Sequence, residues 1–184
     1  MMIKMTVEGI GIDPQNNTLV LLRDEEHKVF VPIYIGPAEA MSIQMELDNR
    51  QPPRPMTHDL MADIFQKTGV RLIKVTVNDV DKLLYYATLH LQTGAGEDAT
   101  QEVDARPSDA IALALRAQCQ IWVSDKVVDK SGIQVEEVIN ESDDMTAYRV
   151  TEETADASPE EMNKFSKLLE GVDLTGKEGE TQSN

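Results

Sequence analysis

At 184 residues, 27% of them charged and 41% hydrophobic, the chain is sized for one globular domain with some disordered length beside it. Its formal charge of −16 is uneven: residues 136–184 hold 14 acidic and 4 basic side chains, a balance of −10, leaving 19 acidic and 13 basic, or −6, in residues 1–135. That body lacks the cationic excess of a high-affinity nucleic-acid binder, so contact with nucleic acid needs a local basic patch, a bound divalent metal, or both. Cys119 stands alone, which excludes an intrachain disulfide and a thiolate zinc cluster. The opening residues lack the basic and apolar stretches of a signal peptide, and no apolar run approaches the ~20 residues of a membrane span. The expected location is the cytoplasm, away from any membrane.

The first 35 residues read as three short strands. Ile3 to Ile12 alternates, Asp13-Pro14-Gln15-Asn16-Asn17 supplies a turn, and Thr18 to Arg23 follows as a second strand. Asp24 to His27 is a charged turn, and Lys28 to Ile35, rich in β-branched and aromatic residues, is the third strand. Tight turns between short strands predict an antiparallel meander, which buries one face.

Gly36-Pro37 then opens a helix, since proline suits a first helical position whose N–H has no partner anyway. Ala38, Met41 and Met45, with Ala40, Ile43 and Leu47, give it a broad apolar face. Asp48 to Pro55 ends the helix in a stiff proline loop. Thr57 is the expected N-cap of a second helix, with Asp59 in its first turn, a buried stripe of Leu60, Met61, Ile64 and Phe65, and Gly69 as its stop.

Val70 to Val77 alternates as a strand, Asn78 to Lys82 turns, and Leu83 to Thr93 continues as a long strand. After a turn over Gly94 to Asp98 comes a short strand ending near Asp104. A third helix follows, with Pro107 near its start and Ala110, Ile111, Ala114 and Leu115 inside. Ile121-Trp122-Val123 is a last short strand, with Val127 and Val128 beyond it. Strand runs mixed with three helices predict an α+β single domain with an antiparallel or mixed sheet, not a doubly wound one. The organisation expected is a domain over 1–135, an acidic linker over 136–157, a short amphipathic helix over 158–171 and a disordered tail over 172–184. The helix opens on Ser158-Pro159-Glu160-Glu161 and carries Met162, Phe165, Leu168 and Leu169. Being too short to stand alone, it is expected to dock on something.

Two segments carry chemistry. Arg54-Pro55-Met56-Thr57-His58-Asp59-Leu60 brings a cation, an imidazole and a carboxylate to a helix start, and Val103-Asp104-Ala105-Arg106-Pro107-Ser108-Asp109-Ala110 does the same with a guanidinium and two carboxylates. Helix N-termini attract phosphate, arginine forks onto it, and grouped carboxylates hold magnesium or manganese. Each group also has a structural reading. Asp59, Asp109 and Glu39 suit the first turn of a helix through its dipole. Arg106 is placed to pair with Asp104 or Asp109, Asp104 to cap the following turn, and His58 to bond a neighbouring carbonyl. Ser108 is not expected to act as a nucleophile, because no Ser-His-Asp arrangement is readable from the spacing. His27 and His90 carry less weight.

The run Pro32-Ile33-Tyr34-Ile35-Gly36-Pro37-Ala38-Glu39-Ala40, then Arg54 to Leu60, then Asp104-Ala105-Arg106-Pro107-Ser108-Asp109-Ala110-Ile111-Ala112-Leu113-Ala114 resembles, in order, the bifunctional nuclease domain family. The resemblance extends from about Ile3 to Ile133. It implies an α+β fold, association as a homo-oligomer, and hydrolysis of phosphodiester bonds in DNA and RNA; the groups at the two helix starts suggest that a divalent metal, Mg2+ or Mn2+, assists. On that reading His58, Asp59 and Asp109 are catalytic, Arg54 and Arg106 clamp phosphate, and Glu39, Asp59, Asp104 and Asp109 are metal ligands. The competing reading is a non-enzymatic oligomeric module that docks a protein or a small anionic ligand, with the same motifs serving as caps and ion pairs.

Overall fold

Turn chemistry divides the N-terminal third as the sequence predicts. The Asp13 carboxylate accepts hydrogen bonds from the Gln15 N–H (2.9 Å), the Asn17 N–H (2.8 Å) and the Asn17 side-chain amide (2.9 Å), closing the first hairpin. Asn16 there adopts φ +66°, a left-handed conformation that asparagine tolerates. The computed structural model describes residues 1–13, 15–26, 28–94, 99–140 and 145–150, with backbone alone from residue 136 onward. The expected helix 158–171 and tail 172–184 lie outside the described residues.

In chain order the elements are β1 (Met2–Ile12), β2 (Thr18–Asp24), β3 (Val29–Tyr34), α1 (Pro37–Leu47), α2 (Thr57–Thr68), β4 (Arg71–Asp81), β5 (Leu84–Gln92), β6 (Thr100–Ala105), α3 (Pro107–Ala117), β7 (Gln120–Ser124), α4 (Asp125–Ser131), β8 (Ile133–Asn140) and β9 (Met145–Val150). The strands form one mixed sheet in the order β6-β5-β4-β7-β1-β2-β3-β8-β9. Two antiparallel meanders, β1-β2-β3 and β4-β5-β6, are joined through β7, which runs antiparallel to β1 and parallel to β4. This is the α+β class, with one domain core.

The sheet curls. β5 and β3 are far apart in strand order, yet the Tyr85 hydroxyl of β5 donates to the Pro32 carbonyl of β3 at 2.9 Å. Inside the curve, Val20, Leu22, Val31 and Ile33 of the first meander meet Val75, Val77, Ala87 and Leu89 of the second. The helix α3 lies on this concave side with Ala110, Ile111, Ala112, Leu113 and Ala114 buried, its small side chains allowing close approach. The helices α1 and α2 pack on either side of α3 without a comparable contact to each other.

Four expectations are corrected. Met56, not Thr57, is the N-cap position of α2; its N–H is capped by the Asp59 carboxylate at 2.7 Å. Leu60 and Ile64 of α2 and Met41 of α1 are exposed; the apolar side chains of α2 that pack on the core are Met61 and Phe65. The turn predicted over Asn78 to Lys82 is strand as far as Asp81; bulges between Leu72 and Lys74 and between Val77 and Asp79 absorb the irregularity, and the chain reverses at Lys82, φ +58°. A fourth helix, α4, follows β7 directly. Its N-cap Ser124 accepts the Val127 N–H at 3.3 Å while donating to the Asn78 carbonyl at 2.7 Å. Further on, β8, which starts at Ile133, and β9 pair as an antiparallel hairpin that overlaps the stretch 136–157 read from sequence as an acidic linker.

Candidate active site at three helix starts

Prolines set the stage. Pro107 occupies the first position of α3 and so keeps Arg106 extended, at φ −68° and ψ 145°. Held there, Arg106 faces the carboxylate of Asp109, one turn inside the helix, and the two form a forked pair: Nε to Oδ2 at 2.8 Å and Nη2 to Oδ1 at 2.9 Å. The third guanidinium nitrogen, Nη1, reaches Glu39 Oε1 at 2.9 Å, in the first turn of α1 behind Gly36-Pro37. On the other flank His58, in the first turn of α2, puts Nε2 3.1 Å from Asp109 Oδ1. Thus the first turns of α1, α2 and α3 deliver Glu39, His58 and Asp109 to one place, around Arg106.

The hydrogen-bond pattern places a hydrogen on one imidazole nitrogen. Burial alone would raise the Asp109 carboxyl, but the bonds from Arg106 and His58 hold it below the ordinary carboxylate range. An ionised carboxylate only accepts, so Nε2 of His58 carries the hydrogen. The other ring nitrogen, Nδ1, is hydrogen-bonded to the Ser42 hydroxyl of α1, 2.8 Å away. A Ser-His-Asp array therefore does exist here, through Ser42 and not Ser108. Its exposure is the reverse of a hydrolytic triad, in which the serine faces substrate and the aspartate is buried. Ser42 is 1% exposed, while the Asp109 side chain keeps 26% of its surface. Ser42 orients the ring; Asp109, Glu39 and Arg106 meet the solvent.

A second guanidinium sits at the other end of α3. Arg116 donates from Nε to Asp59 Oδ1 at 2.6 Å, from Nη1 to the Ala112 carbonyl at 2.9 Å and from Nη2 to the Ser42 carbonyl at 3.3 Å, with Glu46 Oε2 3.9 Å away. Burial would raise Asp59, but Arg116 and the Met56 N–H hold it low. Asp59 therefore works as a cap and a strut. Ser42, Glu46 and Arg116 were missed from sequence, since a serine inside a helix and an arginine in a helix's last turn carry no distinguishing signal.

The remaining candidates stand apart. Arg54 is exposed in the loop before α2, without an ion pair or hydrogen bond among the described residues. Asp104 pairs with Thr88 across β6 and β5, and by alternation from Ala105, which packs on the core, it looks to the face away from the helices. Ser108 is buried at the second position of α3. His90 lies on the same outer face as Asp104, its Nε2 3.0 Å from Thr76 Oγ1.

The four expected metal ligands are thus not one set. Glu39 and Asp109 share Arg106, Asp59 is taken by Arg116, and Asp104 is elsewhere; among the described residues no three His, Cys, Asp or Glu side chains gather closely enough to hold a metal ion. The groups as arranged do not fit magnesium or manganese. The positive charge between the carboxylates is a guanidinium.

Comparison with known proteins supplies the context. A model of the bifunctional nuclease domain matches residues 20–136, an interval that holds every residue of both arginine clusters. An uncharacterized protein of Mycobacterium tuberculosis is 34% identical over 170 residues, covering 92% of this chain and 94% of that protein. Bifunctional nuclease 1 of Oryza sativa subsp. indica is 27% identical over 124 residues, 65% of this chain and 36% of the plant protein. Bifunctional nuclease 2 of Arabidopsis thaliana is 27% identical over 122 residues, again 65% and 36%. No helix among the described residues is long and apolar enough to cross a membrane. With one relative matched nearly end to end and the domain model spanning the helices that build the site, the chain belongs to the bifunctional nuclease domain family.

Proposed function

We propose that this chain is a nuclease that hydrolyses phosphodiester bonds of DNA and RNA at the Glu39–Arg106–Asp109–His58 cluster. The single observation that carries the reading is Arg106: its side chain is 65% exposed, yet Glu39 and Asp109, from the starts of α1 and α3, hold its guanidinium in place. Helix N-termini favour an incoming phosphate, and a guanidinium can exchange one carboxylate partner for phosphate oxygens with the same fork. When Arg106 turns to substrate, Asp109 loses the partner that held it acidic and becomes a better base. Asp109 then takes the proton of an attacking water, whose oxygen bonds to phosphorus as the ester P–O bond on the opposite side breaks. The leaving oxygen takes a proton from solvent, and His58, fixed by Ser42, keeps the carboxylate aimed. Arg54, exposed in the neighbouring loop, is available to a second phosphate of the strand.

The assay is cleavage of end-labelled single-stranded DNA and RNA by purified protein, run with magnesium, with manganese and with chelator. Wild type should cut, and Arg106→Ala should lose roughly 100- to 1,000-fold, the usual cost of removing a group that stabilises transition-state charge. Equal cutting by both proteins would mean a contaminating nuclease and would sink the proposal.

One observation favours a second reading. All the carboxylates of the cluster are already matched by a cation, which also suits a module that binds an anion without chemistry. Strand binding that weakens in Arg106→Ala, with no product under any metal condition, would select it.

A further inference from the structure

A groove of about 830 Å3 stands beside the Arg106 cluster, and the reaction above does not use it. Three places in the chain build it: the β1–β2 turn with Gln15, Asn16 and Thr18, the β3–α1 junction with Tyr34 and Gly36, and Leu83 at the β4–β5 tip. Leu83 is 72% and Tyr34 45% exposed, so apolar surface lies open to solvent there. Asp13 fixes the turn. Burial would raise its carboxyl, but bonds from Asn17, Gln15 and the Tyr34 hydroxyl hold it below the ordinary range. The Tyr34 ring is thus tied at its hydroxyl end and keeps an exposed flat side. Asn16, in the left-handed conformation, is exposed, and its side-chain amide makes no hydrogen bond among the described residues. Such an amide offers both donors and an acceptor.

Gly36 is the wall common to groove and cluster. It lines the groove, and the Glu39 carboxylate that holds Arg106 lies against it. A strand whose phosphate sits on Arg106 therefore has the groove beside the scissile bond. Charge decides which part of the strand enters. Among the described residues that line the groove there is no lysine or arginine, and the Asp13 carboxylate is already satisfied within its own turn. Nothing there attracts a phosphate. An aromatic face, an aliphatic side chain and an amide are what an unpaired base requires, stacking on its faces and hydrogen bonds along its edge.

We infer that this groove takes one unpaired nucleobase next to the phosphate on Arg106, so that the substrate is a single strand. The inference rests on the nuclease reading of the Arg106 cluster and specifies the substrate of that site. Tyr34 stacks on the base, Leu83 adds apolar contact, and Asn16 bonds to the base edge. The phosphates stay outside, on arginine.

The test follows fluorescence anisotropy of a short end-labelled deoxynucleotide strand, made with phosphorothioate linkages that slow cleavage. Its control is the same strand built of stable abasic residues. Wild-type full chain should bind the normal strand roughly tenfold tighter than the abasic one, the worth of one stacked base. Tyr34→Ala should lose most of that preference, and Tyr34→Phe should keep it because the ring remains. Asn16→Gly, which suits the left-handed backbone, should lose part of it. Binding of the duplex should not respond to Tyr34→Ala, since paired bases cannot enter. Equal binding of normal and abasic strands by wild type overturns the inference, as does a full preference surviving in both Tyr34→Ala and Asn16→Gly. Cleavage separates the two readings. Base-dependent binding without product leaves the groove standing and removes the nuclease, whereas equal cutting of normal and abasic strands does the reverse.

Discussion

Two arginines ten residues apart on α3 show how much burial decides. Arg106 and Arg116 each contact two carboxylates, Glu39 with Asp109 and Asp59 with Glu46, and each ties α3 to α1. Their side-chain exposures are 65 and 6%. At Arg116 two further N–H groups go to the Ala112 and Ser42 carbonyls, and the side chain is too buried for a ligand to reach it. At Arg106 one edge of the guanidinium meets water, where a phosphate can compete on equal terms. The same residue types thus make a strut at one end of the helix and a candidate site at the other. Chemistry follows accessibility, not composition.

The largest effect expected from this contrast is on stability. Arg116→Ala strands Asp59 among three helices and should cost roughly 3 kcal/mol, the low end for breaking a buried pair, because Asp59 keeps some solvent. Arg106→Ala should cost no more than about 1 kcal/mol, as exposed pairs do. Urea titrations of the two variants compare them directly, and equal losses would erase the distinction between strut and site.

Acid offers a second, intermediate probe. Asp59 and Asp109 both have folded pKa values below their unfolded ones. The unfolded chain therefore binds more protons in acid, so their contribution is complete above the unfolded value of about 3.9 and fades as pH falls through the folded values. Stability should be level with respect to these groups near neutrality and drop below about pH 4. Asp59→Asn should flatten that drop more than Asp109→Asn does, since Arg116 is the less hydrated partner. A steeper acid slope in Asp59→Asn would contradict the assignment.

The smallest and most local test is Gly36→Ala. A Cβ at Gly36 would collide with the end of the Glu39 side chain, a flexible group that can move aside. Melting should shift little, while Glu39 is pushed off Arg106 and the cluster is left with one carboxylate. If Glu39 helps hold Arg106 in place, strand cleavage or binding should change although the fold does not. An unaltered assay would remove Glu39 from the site.

Much of this was legible in the chain. Prolines at 37 and 107 mark the starts of α1 and α3 because proline excludes helix from the residue before it. The short apolar runs Leu19 to Leu22 and Val29 to Ile33, bounded by turn residues, mark β2 and β3. His58, Arg106, Asp109 and Glu39 could be named as a group because anion-attracting helix starts draw polar residues. The exposed Leu60 and Ile64 could not be foreseen, since periodicity gives the width of an apolar stripe but not the width of the surface that receives it.

Sequence by itself determined the local items: where helices begin, which strands pair as meanders, and which residue types stand at the helix starts. These depend on backbone sterics and on periodicity within a dozen residues. Only the tertiary structure decided that His58 meets Asp109 across 51 positions, that Asp59 turns to Arg116, and that Asp104 faces away. Those outcomes depend on how α1 and α2 rest against α3 and on the alternation of β6, distances through space that no local pattern encodes.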